Sequence, residues 1–116
     1  MDIIADLTRV LRARRDADPE TSYVASLYQK GTDKILEKVG EEATEALLAA
    51  KNLQFALDQQ EAAERPQQAL IGEVADLWFH TMVMMVKLDV DPAAVLQTLQ
   101  DRHGVSGHTE KANRTE

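Results

Sequence analysis

Leu70-Ile71-Gly72-Glu73-Val74-Ala75-Asp76-Leu77-Trp78-Phe79-His80-Thr81-Met82-Val83-Met84-Met85-Val86-Lys87 is the stretch that decides the fold. Leu70, Ile71, Val74, Ala75, Leu77, Trp78, Phe79, Met82, Val83, Met84, Met85 and Val86 follow no period-two alternation, and together they cover most of the circumference of a helix. The few polar positions, Glu73, Asp76, His80 and Lys87, fall within an arc of about 60° at ~100° per residue. A helix of this kind is expected to be buried on several sides. One small chain can hardly cover it, so an oligomer is predicted. Carboxylates carried into such an apolar setting need a cation, because an unpaired charge out of water is costly. Met82, Met84 and Met85 read as core or subunit interface.

Outward from this segment the chain divides into helices. Pro66 marks the first helical position of the long apolar helix, which reaches about Leu88, and the polar stretch 58–65 before it is the turn. Upstream, Ile35, Val39, Ala43, Ala46, Ala50, Leu53 and Leu57 recur every three or four residues and predict a second long helix over about 33–57. Thr32 or Asp33 is its expected cap. Earlier still, Ile3, Ile4, Leu7, Val10 and Leu11 form an amphipathic stripe that ends in the basic cluster Arg12, Arg14 and Arg15, suited to a helix C-terminus. Pro19 falls in a break, Ser22 caps a short helix carrying Val24, Leu27 and Tyr28, and Gly31 closes it. Asp91 and Pro92 open a fifth helix ending near His103. The expected fold is an all-α bundle of about five helices with two long antiparallel core helices. Residues 1–103 form the single domain and 104–116 a mobile, partly basic tail.

The composition bounds the function. The chain has 116 residues, 28% of them charged and 44% hydrophobic, as suits one soluble domain. A net charge of −7 repels nucleic acid and anionic membranes, so neither is expected as a partner, and a phosphate ligand would be held through a cation. With no cysteine there is no disulfide framework or thiolate chemistry, and the cytoplasm is the expected compartment. The acidic start of the chain does not suit a signal peptide, and no apolar run approaches the roughly 20 residues of a membrane helix.

Around the 33–57 helix, Glu42 falls at the edge of the apolar arc and Glu45 about 60° further round, while Glu41 points nearer water at ~100° beyond Glu42. An antiparallel pairing of the two long helices sets Glu42 and Glu45 opposite Glu73 and Asp76. Four carboxylates that converge cannot all stay ionised unaided, and a hard octahedral cation such as Mg²⁺ stabilises them while holding phosphate oxygens. A di-iron bundle would show Glu-x-x-His pairs, which this chain lacks. Glu37 and Glu41, beside Lys34 and Lys38, equally fit a solvated face. His80 reads as a packing residue or as a partner of a ligand.

Glu41-Glu42-Ala43-Thr44-Glu45, with 27 residues intervening before Glu73-Val74-Ala75-Asp76, resembles the E-E-x-x-E … E-x-x-D signature of MazG-type all-α nucleotide pyrophosphatases. Within that group the stretches at 22–27, 31–36, 38–42 and 49–52 are similar to the phosphoribosyl-ATP pyrophosphatase branch. So is the ending Arg102-His103-Gly104-Val105-Ser106-Gly107 followed by Glu110-Lys111 and Arg114. The resemblance implies Mg²⁺-dependent hydrolysis of phosphoribosyl-ATP to phosphoribosyl-AMP and pyrophosphate, the second step of histidine biosynthesis, by a helical homodimer. It matches Glu42, Glu45, Glu73 and Asp76 to the metal-binding acids. Glu41 or Glu42 is then the candidate base for the attacking water. Lys34, Lys38 and Lys51 are candidate phosphate contacts, with Arg102, Lys111 and Arg114 closing from the tail. A stand-alone form is expected, without the cyclohydrolase domain that often accompanies this one. The rival within the same helical type is a house-cleaning dNTP pyrophosphatase, which shares the acids without needing the Arg102–Arg114 ending.

Overall fold

Two long helices pack antiparallel and hold the rest of the chain together. The computed structural model describes residues 1–104, within which five α-helices follow one another and no strand forms. They are α1 (Ile3–Ala13), α2 (Tyr23–Lys30), α3 (Thr32–Asp58), α4 (Glu64–Lys87) and α5 (Ala93–His103), with a 3₁₀ turn over Arg14–Asp16. The α3–α4 hairpin is the dominant contact; α1 lies against α4, and α2 lies against α3 and the 3₁₀ turn.

Local chemistry accounts for most of the ends. Asp2 caps α1 by accepting from the Ala5 amide at 3.1 Å, and Ser22 caps α2 from the Ala25 amide at 3.1 Å. The carboxylate of Asp91 accepts from the Ala93 amide at 2.9 Å where α5 begins. The expected cap of α3 is not used: neither Thr32 nor Asp33 holds that position. Gly31 alone separates α2 from α3, at φ +101, a backbone conformation that favours glycine. It donates to the Leu27 carbonyl and accepts from the Ile35 amide, so one residue ends one helix and starts the next. Pro66 is the third residue of α4 rather than the first, still within the turn whose amides have no helical acceptor.

The core lies at one end of the hairpin. Leu11, Val24, Leu27, Ile35, Met82, Val83 and Val86 are buried together, with Ile4, Leu7, Tyr28, Phe79 and Met84 packed on them. The Tyr28 hydroxyl donates to the Leu11 carbonyl at 2.9 Å, tying α2 to α1. Arg15 donates to the Val86 carbonyl at the end of α4 and to Asp89 Oδ1 at 2.7 Å. Towards the other end the cover is thin: Leu47, Leu48, Phe55, Leu57, Ile71 and Trp78 are exposed, and no residue of α5 is buried.

Contrary to the reading of the bare sequence, α4 is long and apolar enough to cross a bilayer by length and composition alone. Its Glu73 and Asp76 would then sit within the span, where carboxylates are expensive. Here α4 is the core helix that both α1 and α3 pack against.

Leu11 is fully buried where α1 meets the core. Leu11→Ala is expected to lower the unfolding free energy by about 2–5 kcal/mol, read as a shift of the urea midpoint at constant slope.

Candidate metal centre

The antiparallel hairpin brings one helical turn of α3 against one helical turn of α4, and carboxylates meet across the seam. Glu42 (7% exposed), half-buried Glu73 and exposed Asp76 each place a carboxylate oxygen so that all three lie within 4.8 Å of one another. Glu45, one turn beyond Glu42 and itself exposed, acts electrostatically on both Glu42 and Glu73.

Glu42 is more central than its sequence position suggests. The buried residues of α3 are Ile35, Glu42, Ala46, Ala49 and Ala56, whereas Ala50 and Leu57 of the expected arc are exposed. The helix is thus turned by about 50°, at ~100° per residue, from the arc its larger apolar residues describe. Ala46, Ala49 and Ala56 face the seam and allow close approach of α4. That rotation carries Glu42 from the edge of the apolar face to its middle.

The energetic consequence is like-charge crowding away from water. Burial holds the Glu42 carboxyl above its ordinary pKa, the charge of Glu45 adds to this, and His80 opposes it. For Glu73 the hydrogen bond with Glu45 is the largest cause of an upward shift, followed by burial and then repulsion from Glu45, Asp76 and Glu42. Oε2 of Glu42 and Oε2 of Glu73 are both buried with no hydrogen-bond partner among the described residues. Orphaned acceptors in a ring of hard oxygen donors fit a divalent cation such as Mg²⁺, which supplies the missing positive charge to both at once.

The basic candidates are more scattered. Lys38, half-buried, lies 3.4 Å from Glu41 Oε2. Its pKa is raised by its hydrogen bond to Glu41 first, with Tyr23, Glu41 and Glu42 adding to the effect, so it stays charged beside the cluster. Glu41 is on the exposed side of α3, in that pair with Lys38. Lys34 is paired with Glu37 at 3.4 Å, and Lys51 is exposed. Arg102 is in the last turn of α5. Val95, Leu96 and Leu99 of that helix line a groove with Trp78, Met82 and Met85, roughly half a turn round α4 from the Glu73–Asp76 stripe at ~100° per residue. Within one chain, therefore, the structure does not bring Arg102 to the acids. Lys111 and Arg114 lie outside the described residues, as does most of the expected tail.

Three residues near the site, Asn52, Arg65 and Tyr23, escape the sequence reading, and a fourth, His80, reads there as a packing residue or a partner of a ligand. Asn52 and Arg65 line a cleft of about 490 Å³ between α3 and α4, which Glu45 and Glu73 border at its inner end with Leu48, Ala49, Pro66 and Ala69. Asn52 stands seven residues after Glu45 and so on the same helical face, a spacing that marks it in preference to Lys51. Arg65 precedes Pro66 and reads as part of a turn until the helix is seen to begin at Glu64. The other two are linked to each other: the Tyr23 hydroxyl is 2.8 Å from His80 Nε2, and His80 Nδ1 is 3.7 Å from Glu42 Oε1. No local spacing announces that contact between α2 and α4.

Residues 4–103 match the family described as phosphoribosyl-ATP pyrophosphohydrolase. The phosphoribosyl-ATP pyrophosphatase of Hydrogenovibrio crunogenus is 48% identical over 114 residues, which is 98% of this chain and 94% of that protein.

Glu42→Gln replaces a crowded carboxylate by an isostere whose amide donates to its acidic neighbours. It is expected to raise the metal-free melting temperature by a few degrees and to remove most of any further rise that the wild type shows on addition of Mg²⁺. Raised carboxyl values mean that the folded wild type holds protons which the unfolded chain has released. Its metal-free stability should therefore fall as pH rises above the ordinary carboxyl range, with a shallower fall in the variant. Melting curves in EDTA at about pH 5 and about pH 8 check the sign.

Proposed function

The chain belongs to the phosphoribosyl-ATP pyrophosphohydrolase family, and on that premise we propose that it is a cytoplasmic Mg²⁺-dependent hydrolase. Its reaction converts phosphoribosyl-ATP to phosphoribosyl-AMP and pyrophosphate, the second step of histidine biosynthesis. The observation that carries the reading is the convergence of Glu42, Glu73 and Asp76 within 4.8 Å, with buried carboxylate oxygens left unpartnered.

Glu42, Glu45, Glu73 and Asp76 would hold the cation. When bound, it supplies charge neutralisation and polarisation of the phosphate oxygens. The protein's own groups then divide the remaining tasks. Glu42 and Glu41 are adjacent in sequence yet differ in setting, one buried in the seam and the other exposed beside Lys38. A ligand already committed to the cation is a poor proton acceptor, which favours Glu41 as the group that takes the proton from water, while Glu42 anchors the cation. Lys38, charged and next to the acids, suits a phosphate oxygen, and Lys34 stands one turn before it on α3. The cleft bordered by Glu45 and Glu73 offers Asn52 and Arg65 to the rest of the nucleotide. No covalent nucleophile is needed for this displacement.

The working unit is a homodimer. Exposed Leu47, Leu48, Ile71, Trp78, Leu96 and Leu99 leave more apolar side chain in water than a small monomer usually carries. Because α5 lies across α4 from the acids, Arg102 would approach a bound phosphate from a neighbouring copy rather than from its own chain. Light scattering should return twice the monomer mass; a monomer at assay concentration would count against this assembly.

Glu73→Gln and Asp76→Asn are each expected to reduce pyrophosphate release from phosphoribosyl-ATP by about 100-fold or more, with helical circular dichroism unchanged. A wild-type rate in either variant would remove the metal assignment. Running dUTP and dCTP beside phosphoribosyl-ATP, with and without Mg²⁺, separates this activity from the house-cleaning alternative.

A further inference from the structure

His80 is 6% exposed on α4, one turn after Asp76, and both of its ring nitrogens are engaged. Nδ1 is 2.9 Å from the Asp76 carbonyl oxygen and Nε2 is 2.8 Å from the Tyr23 hydroxyl. A backbone carbonyl only accepts, so Nδ1 carries the hydrogen; in the neutral ring Nε2 is then the acceptor and the Tyr23 O–H donates to it. The tautomer is thereby set from two helices, by the main chain of α4 at one nitrogen and by α2 at the other. Phe79 and Tyr23 meet the imidazole edge-on, with centroids 5.3 and 5.8 Å away and interplanar angles of 89° and 87°. The ring is therefore held in position as well as in protonation pattern. With that hydrogen donated to the Asp76 carbonyl, Nδ1 lies 3.7 Å from Glu42 Oε1, beyond a direct hydrogen bond but close enough for the electropositive edge of the ring to favour that oxygen. The other oxygen, Oε2, is the one left buried and unpartnered.

We propose that Tyr23 and His80 are positioning residues: Tyr23 and the Asp76 carbonyl fix the imidazole, and its electropositive Nδ1 edge, 3.7 Å from Glu42 Oε1, biases the Glu42 carboxylate so that its second oxygen is presented as a cation ligand. This rests on the acid cluster being the metal site of the preceding section. Both act through Glu42. The arrangement makes α2 a functional part of the site, although it contributes no ligand. Outer partners of ligating groups elsewhere change metal affinity by about 10–100-fold when removed, because the ligand they orient must otherwise be ordered at the moment of binding.

Calorimetric titration of the full chain with Mn²⁺ alone, the probe in place of Mg²⁺, tests this on three variants. His80→Leu removes the donor and is expected to weaken Mn²⁺ binding about tenfold. Tyr23→Phe deletes only the hydroxyl and should give a smaller rise in Kd. His80→Asn returns an N–H₂ donor close to the Nδ1 position and should recover most of the loss. Turnover should follow affinity, with kcat restored at saturating Mg²⁺ and KM for substrate little changed. Wild-type Mn²⁺ affinity in either Tyr23→Phe or a folded His80→Leu would overturn the proposal, as would equal weakening in His80→Leu and His80→Asn. Tyr23→Phe retains the aromatic packing, so it decides the matter even if His80→Leu fails to fold. A wild type that binds no Mn²⁺ would instead remove the metal site, and this inference with it.

Discussion

Carboxylates pressed together in the seam between two helices, with part of their oxygen surface shut off from water, are what the rest of the molecule is arranged around. Ionised acids in that position repel one another, and desolvation weakens the water screening that would soften the repulsion. The apolar body of α4 creates the problem, because a helix lined with Leu, Met, Val and Phe limits water on the inner side of its one polar stripe, where His80 is buried and Glu73 half-buried. The same body makes the stripe useful. A cation held by a partly dehydrated set of oxygen donors gains more from the buried ones than it would at a fully exposed acidic surface.

The remaining elements serve this seam from one end. Leu11, Leu27, Ile35, Val83 and Val86 form a dry core where α1 and α2 clasp the hairpin. Arg15 closes the exit of α4 by bonding to the Val86 carbonyl and to Asp89. Glu42 and His80 lie at the inner limit of that core, so the carboxylate cluster has a rigid floor and an open outer rim. Beyond it the hairpin is only half covered, and Trp78, Leu48 and Ile71 are exposed. Stability at one end and an uncovered apolar face at the other are the arrangement expected of a chain that completes its fold by association.

Much of this was legible before any coordinates. Five helices, their order and most of their ends follow from apolar periodicity, from Ser22 as a cap and from the Asp91-Pro92 start signal, because such signals act within a few residues of chain; the cap by Asp2 was seen only in the structure. The Glu42–Glu45 and Glu73–Asp76 spacings are also local facts about helical faces. The family assignment spans residues 4–103, so it stands without Lys111 and Arg114 of the ending. Less legible were the start of α3, where Gly31 does the work expected of Thr32 or Asp33, and the start of α4, two residues ahead of Pro66. At both places the hydrogen-bonded chain path overrode the side-chain signal.

Periodicity by itself determined that two long helices carry four acids at one-turn spacing, since that depends only on the pitch of the helix. Which way each helix is rolled, and what lies across from it, was decided by packing. The alanines of α3 turn toward α4 and bring Glu42 to the centre of the buried face. Tyr23 reaches His80 across 57 residues of sequence. Asn52 and Arg65 share a cleft with Glu45 and Glu73, while Arg102 lies round the far side of α4. Helical pitch is a property of neighbouring residues and is written in their order. The roll of a helix is set by the sum of its contacts with distant segments, and those exist only once the chain has folded.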